Sequence, residues 1–181
     1  MFKKTLLALA VFVASGSSSW AQQASSDYPT KPIRIVAPSA AGGGFDLVAR
    51  VLGSKLSEQM GQQFVVENRS GGGTLAGTLA IAKAPADGYH LLVGGLSNMA
   101  LNAGLYKNPG YDPLTDFIPL RIVVSHSYTL VGRKDLPFNN MKDMLTFAKA
   151  NPGKLNFGTS GPGTGQFILG SLVKGMGNVD I

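Results

Sequence analysis

The chain has 181 residues, 44% of them hydrophobic and 14% charged, an ordinary globular composition with apolar material for a core. It holds no cysteine, which excludes a disulfide framework, a thiolate metal site, a cysteine nucleophile and a lipidated N-terminal cysteine. The formal charge is +6, but the basic residues are scattered, with no run longer than Arg133-Lys134, so the clustered footprint of a nucleic-acid binder is absent.

Lys3 and Lys4, an apolar run over 5–14 and the small-x-small sequence Ser19-Trp20-Ala21 have the layout of a secretory signal peptide over residues 1–21. The run is too short to span a bilayer, and no later stretch is long and apolar enough to do so. Cleavage there removes Lys3 and Lys4 and lowers the charge to +4. Residues 22–30 read as a polar, mobile lead-in. Residues 33–37 form a predicted strand, which the proline and glycines of 38–44 cannot continue. An amphipathic helix over 45–60 follows, with Leu47, Val48, Val51, Leu52 and Leu56 on one side and Gly61 to end it. The same grammar repeats: a strand at 64–67, a glycine turn at 70–73, a small-residue helix at 74–83, a turn at 85–88 and a strand at 89–93. This β-loop-α-β-loop-α-β order predicts an α/β fold with a parallel sheet and right-handed crossovers.

Beyond a turn-rich stretch at 108–116, strands are expected at 118–124 and 128–131, with a crossover into a second lobe between them. The division expected is a first α/β lobe over 22–124 and the start of a second over 125–181. Asn139 or Asn140 caps a helix running to Ala150. A strand at 155–158, a glycine loop at 159–165, a helix over about 166–176 and the beginning of a further strand at 179–181 complete the chain.

Two loops carry the functional expectation. The first is 38–46, with Ser39, Ala40, Ala41, Gly42, Gly43 and Asp46; the second is 158–166, with Thr159, Ser160, Gly163, Thr164, Gly165 and Gln166. Each sits where a parallel strand ends and a helix begins, the edge at which ligands collect in open α/β sheets. Helix starts offer unpaired N–H groups and partial positive charge, and glycine lets a ligand approach the backbone, so the pair reads as two anion-receptive jaws. Glycines in tight turns explain one such loop as well; two at equivalent junctions favour binding. Asp46 suits either a helix cap or a ligand contact that reads an amine or hydroxyl. Ser97, Asn98 and Asn102 are polar groups at the same edge, and Gly71-Gly72-Gly73 precedes another helix.

Several chemistries fail. There is no P-loop, and neither cluster completes G-x-G-x-x-G, because Gln166 takes the last place counted from Gly161. The G-x-S-x-G elbow around Ser160 ends at Pro162. His90 and His126, the two histidines, suit no catalytic role, and no carboxylate cluster has metal-ligand spacing. Catalytic residues, metal and cofactor are therefore all expected to be absent, and a secreted hydrolase is disfavoured.

A series of ordered motifs then stands out: Tyr28-Pro29-Thr30-Lys31-Pro32-Ile33-Arg34, Pro38-Ser39-Ala40-Ala41-Gly42-Gly43-Gly44-Phe45-Asp46, Val65-Val66-Glu67-Asn68-Arg69, Ala84-Pro85-Ala86-Asp87-Gly88-Tyr89, Leu105-Tyr106, Tyr111-Asp112-Pro113 with Asp116-Phe117, and Pro152-Gly153-Lys154-Leu155-Asn156-Phe157-Gly158. Across the whole mature chain it resembles the tripartite tricarboxylate transporter substrate-binding proteins, the Bug family. The resemblance implies a periplasmic-binding-protein-like two-lobe fold with parallel-rich sheets and a small carboxylate held between lobes. It implies a monomer in the periplasm that hands this ligand to membrane permease subunits. In the family, the loop matching 38–46 contacts one end of the ligand through N–H groups and ordered water, and the loop matching 159–166 grips a carboxylate by N–H and hydroxyl groups. This chain departs from the pattern at Ser39-Ala40-Ala41, where aromatic and proline residues are usual, and at Phe167, where many relatives carry histidine. Family members are also considerably longer, so an incomplete second lobe and a truncated, weakly stable chain are expected. The alternatives are a sensor component for a signalling receptor or a non-functional fragment.

Overall fold

The computed structural model describes residues 27–181, so the expected signal peptide lies outside the described residues. Three parallel strands make its sheet: β1 (Ile33–Ala37), β2 (Phe64–Asn68) and β3 (His90–Leu92), in the order β2-β1-β3. Ile35 stands opposite Val66 on one side and Leu91 on the other. The central place of β1 follows from its sequence. Ile33, Ile35 and Ala37 share one face and are buried, and Val36 is buried on the other, where Arg34 pairs with Glu67 of β2.

Helix α1 (Gly44–Met60) crosses from β1 to β2, and α2 (Leu75–Ala82) from β2 to β3. Gly61 closes α1, its N–H donating to Ser57 O at 3.1 Å. Ser57 Oγ donates to Gly53 O at 2.7 Å and accepts from Phe64 N at 2.9 Å, which ties the helix end to the first residue of β2. The core joins Ile33, Ile35, Ala37, Ala49 and Phe64, with Phe45, Leu56, Val66, Tyr89, Leu91 and Val93 packed around them. The predicted apolar side of α1 is divided: Leu56 reaches this core, whereas Leu47 and Val51 are exposed.

After β3 a π-helical turn (Ser97–Leu101) runs directly into α3 (Asn102–Leu105). Helix α4 (Met141–Ala150) is capped by Asn140, whose Oδ1 accepts from Asp143 N at 2.9 Å. Helix α5 (Gly165–Gly177) ends at Asn178. The expected mobility of the lead-in is corrected where it is described. Tyr28 Oη donates to Gly88 O at 2.6 Å, Thr30 N to Tyr89 Oη at 3.0 Å, and Lys31 pairs with Asp87 at 3.2 Å, so this stretch is fastened to the turn before β3.

Four expected strands are also corrected. Residues 118–124, 128–131, 155–158 and 179–181 carry no ladder. Their β-branched and aromatic residues favour a strand, but a ladder needs a neighbour for its N–H and C=O groups. Among the described residues the sheet has the three strands above, and Ile118, Leu120, Ile122 and Val131 stand in solvent. No helix among the described residues is long and apolar enough to cross a membrane.

Candidate functional site

The C-terminal ends of β1, β2 and β3 open onto one cleft. Of the residues singled out in the first loop, Ser39, Ala40 and Gly43 line it; in the second loop, Ser160, Thr164 and Gln166 do, and Ser97 joins them after β3. Ala41, Gly42, Asp46, Thr159, Gly163 and Gly165 lie outside that lining. The cleft measures about 2140 Å³. That exceeds the roughly 300–1,000 Å³ of a small-molecule pocket. Its lining extends beyond the loops to Leu47, Val48 and Leu52 of α1 and to the exposed stretch that begins at Pro113.

The two jaws differ in how their helix starts are satisfied. At α1 the N-cap is Gly43, with no side chain to accept from the first-turn N–H groups. Gly43, Gly44 and Phe45 line the cleft, so this helix start faces it uncapped. Asp46 does not serve as the N-cap. It sits within the first turn, buried, and its carboxylate reaches back to accept from Gly42 N at 2.8 Å. Asn68 Nδ2 and Arg50 Nε, each at 2.9 Å, complete its partners. The Gly42 N–H, then Arg50 and Asn68, hold this carboxyl down at about 2. At α5 the cap is present. Thr164 Oγ1 accepts from Phe167 N at 3.4 Å and donates to Gly161 O at 2.6 Å, and Thr159 Oγ1 accepts from Gly161 N at 3.1 Å. Both threonine hydroxyls are thus engaged within their own loop.

Asp46 gives a pH dependence with a definite sign. Its folded pKa of about 2 lies below its usual 3.8. Its contribution to stability is therefore complete above about pH 4 and is lost as pH falls towards 2. Asp87, held at about 2 by the Tyr89 N–H, His90 and Lys31, acts in the same sense. Asp46→Asn is expected to flatten the fall in melting temperature between about pH 4 and 2. An unchanged acid limb would show that Asp46 titrates normally in the folded chain.

A third loop, which the sequence marked only by three glycines, packs against the second jaw. Residues Gly71, Gly72, Gly73 and Thr74 all take positive φ. Tyr106 Oη donates to Gly72 O at 3.0 Å, and Asn102 Nδ2 to Gly73 O at 3.4 Å and Thr74 Oγ1 at 3.2 Å. Gly73 packs backbone to backbone on Gly163: a Cβ on Gly163 would lie 3.1 Å from Gly73 Cα and 3.2 Å from both Asn102 Oδ1 and Tyr106 Oη. Asn98 and Asn102, read from sequence as groups at the ligand edge, are fully buried. Asn98 accepts from Gly95 N at 2.8 Å and donates to Thr78 Oγ1 at 3.2 Å, while Tyr111 Oη donates to Asn98 O at 2.6 Å. These amides brace the loops from inside. The one available signal was their spacing of four on a single helical face.

Among the described residues no three His, Asp or Glu side chains are placed to hold a metal ion. His90 is tied to Asp87 at 3.0 Å, and His126 rests on the Tyr128 ring.

The sequence model of the "Tripartite tricarboxylate transporter family receptor" matches residues 48–177. The chain belongs to this family. Among curated relatives, it is 37% identical over 166 residues to the "UPF0065 protein in the TAR-I ttuE-ttuC' intergenic region" of Agrobacterium vitis, covering 92% of this chain and 48% of that one. It is 32% identical to "Protein BugT" of Bordetella pertussis over 93% of this chain and 52% of that one. Solved structures agree. The R. palustris protein Rpa4515 with adipate superposes with a TM-score of 0.79 at 37% identity, over 86% of this chain and 52% of the other. MatC from Rhodopseudomonas palustris with bound malate gives 0.78 at 27% identity, over 84% and 52%. The periplasmic binding protein BugD gives 0.72 at 33% identity, over 85% and 51%. The described fold matches about half of each of these solved structures, and the chain spans about half the length of the relatives it matches.

Proposed function

We propose that the chain is the ligand-gripping part of a periplasmic solute-binding protein, which captures a small carboxylate and delivers it to a tripartite tricarboxylate-type membrane transporter. The observation that carries this reading is the uncapped start of α1, opening on the same cleft as the start of α5. An anion placed there takes the N–H groups that no side chain satisfies and meets the positive end of the helix dipole. The adipate and malate in two structural relatives are both carboxylates and support the same chemistry. Membership of a receptor family and likeness to a periplasmic binding protein support capture without turnover. In this reading residues 1–21 direct export, 22–124 form the first lobe, 125–181 begin the second, and the protein acts as a monomer.

A thermal-shift series tests this, using adipate, malate and their neutral diamides on the 181-residue chain and on a chimera extended to the relatives' full length. A binding diacid at one hundred times its Kd is expected to stabilise the folded state by about 2.7 kcal/mol, and the diamides to give no shift. Equal shifts with acids and diamides, or no shift in either form of the protein, would overturn the carboxylate reading.

A further inference from the structure

Asp46 poses an electrostatic problem, because it is a buried anion in the first turn of the helix whose start is proposed to hold a second anion. Its surroundings resolve it. One oxygen, Oδ2, accepts from Gly42 N at 2.8 Å; the other, Oδ1, accepts from Asn68 Nδ2 and Arg50 Nε, both at 2.9 Å. Asn68 is bound at both ends of its amide. Nδ2 also donates to Ser39 O at 3.3 Å, and Oδ1 accepts from Arg50 Nη2 at 3.1 Å. The three side chains therefore close a ring, and the ring holds the first loop at two backbone points, Ser39 O and Gly42 N. Asn68 reaches it because the last rung of the β1–β2 ladder sets Asn68 beside Ala37, where the loop departs. None of the three side chains lines the cleft, whereas Ser39, Ala40, Gly43 and Gly44 do.

We propose that Asp46, Asn68 and Arg50 form a clamp that positions the first loop for its ligand without touching that ligand. The clamp deepens, and rests on, the carboxylate reading of the cleft. Asp46 spends its charge on Gly42, Asn68 and Arg50, so its negative field at the helix start is offset. The Gly42 N–H is withdrawn from the ligand, and the first-turn groups of α1 remain for it. All three are positioning residues. The competing role is direct contact, in which Asp46 reads an amine or hydroxyl on the ligand.

Two measurements on one set of variants separate these roles. The first is amide hydrogen exchange at Gly42, with the β1 amides of Ile33 and Arg34 as internal references. The second is the affinity for adipate, malate and aspartate, which carry no further group, a hydroxyl and an amine respectively. The variants are Asn68→Ala, Asp46→Asn and the surface change Arg50→Gln, whose side chain is 56% exposed and whose loss leaves the core intact. The clamp predicts that Asn68→Ala speeds Gly42 exchange about tenfold, as for loss of a hydrogen bond to a charged group, while Ile33 and Arg34 keep their rates. It predicts that all three acids weaken by a common factor, and that Arg50→Gln gives a smaller change of the same kind. Unchanged Gly42 exchange, exchange rising equally at Ile33 and Arg34, or an Asp46→Asn loss confined to malate and aspartate would each overturn it. If the unsubstituted chain binds none of the acids, the carboxylate reading fails by itself. The Gly42 rates then decide alone whether the loop is clamped.

Discussion

Gly73→Ala is expected to be among the most damaging single-methyl changes in this protein, lowering stability by about 2–5 kcal/mol and carboxylate affinity with it. Two costs add. Gly73 has φ +59°, a conformation that costs an alanine roughly 1–2 kcal/mol. The new Cβ would also sit 2.8 Å from Gly163 Cα and closer still to Pro162 O. Both neighbours are backbone, so relief requires the 71–74 and 161–165 loops to part. That movement pulls Thr164 and Gln166 away from the start of α1 and widens the cleft. Gly42→Ala supplies the comparison: φ is +82°, but a Cβ there meets nothing within 4 Å, so the conformational cost stands alone. Urea midpoints and adipate affinity of the two variants check the argument. If Gly73→Ala costs no more than Gly42→Ala, the loop-to-loop contact holds nothing in solution.

Ile33→Ala is expected to cost about 2–5 kcal/mol, an amount comparable with the whole stability of a marginal domain. Ile33 begins the central strand, is 1% exposed and packs in the cluster with Ile35, Ala37, Ala49 and Phe64. Removing its outer carbons loses apolar burial and leaves a cavity that a three-stranded sheet held from both sides cannot close. The same substitution at Ile122, which is 88% exposed, is expected to stay within about 0.5 kcal/mol. Equilibrium urea unfolding of both variants decides the matter. Comparable losses would mean that 118–124 is packed in solution, against a partner copy or another part of the chain.

The contrast between these two isoleucines shows where the sequence was legible. The first three strands and the helices between them are local statements. An apolar run of five, a glycine stop and a 3.6-residue stripe each determine the backbone over a few residues, and β1, α1, β2, α2 and β3 all formed near their expected bounds. A cap at Asn139 or Asn140, which the structure places at Asn140, and Gly61 as a stop were readable for the same reason. The segments at 118–124 and 128–131 carry equally strand-like residues, yet they remain unpaired. A strand is half of an interaction, and its partner cannot be read from its own composition.

The site divides in the same way. Residue types and spacing marked two glycine loops leading into helices, and Ser39, Gly43, Ser160, Thr164 and Gln166 line one cleft, but only the first loop follows a strand, since 155–158 form none. What Asp46 does depended on Asn68, twenty-two residues away, arriving through the β1–β2 register. Burial of Asn98 and Asn102 depended on Thr78, Tyr111 and the 71–74 loop closing over them. The sequence by itself determined the α/β class and the order of the first elements, because those follow from short-range sterics and periodicity. Tertiary structure alone decided which helix start is left uncapped, which carboxylate is spent inside a ring, and that Gly73 rests on Gly163. Each of those depends on atoms distant in the chain being brought within a few ångströms of one another.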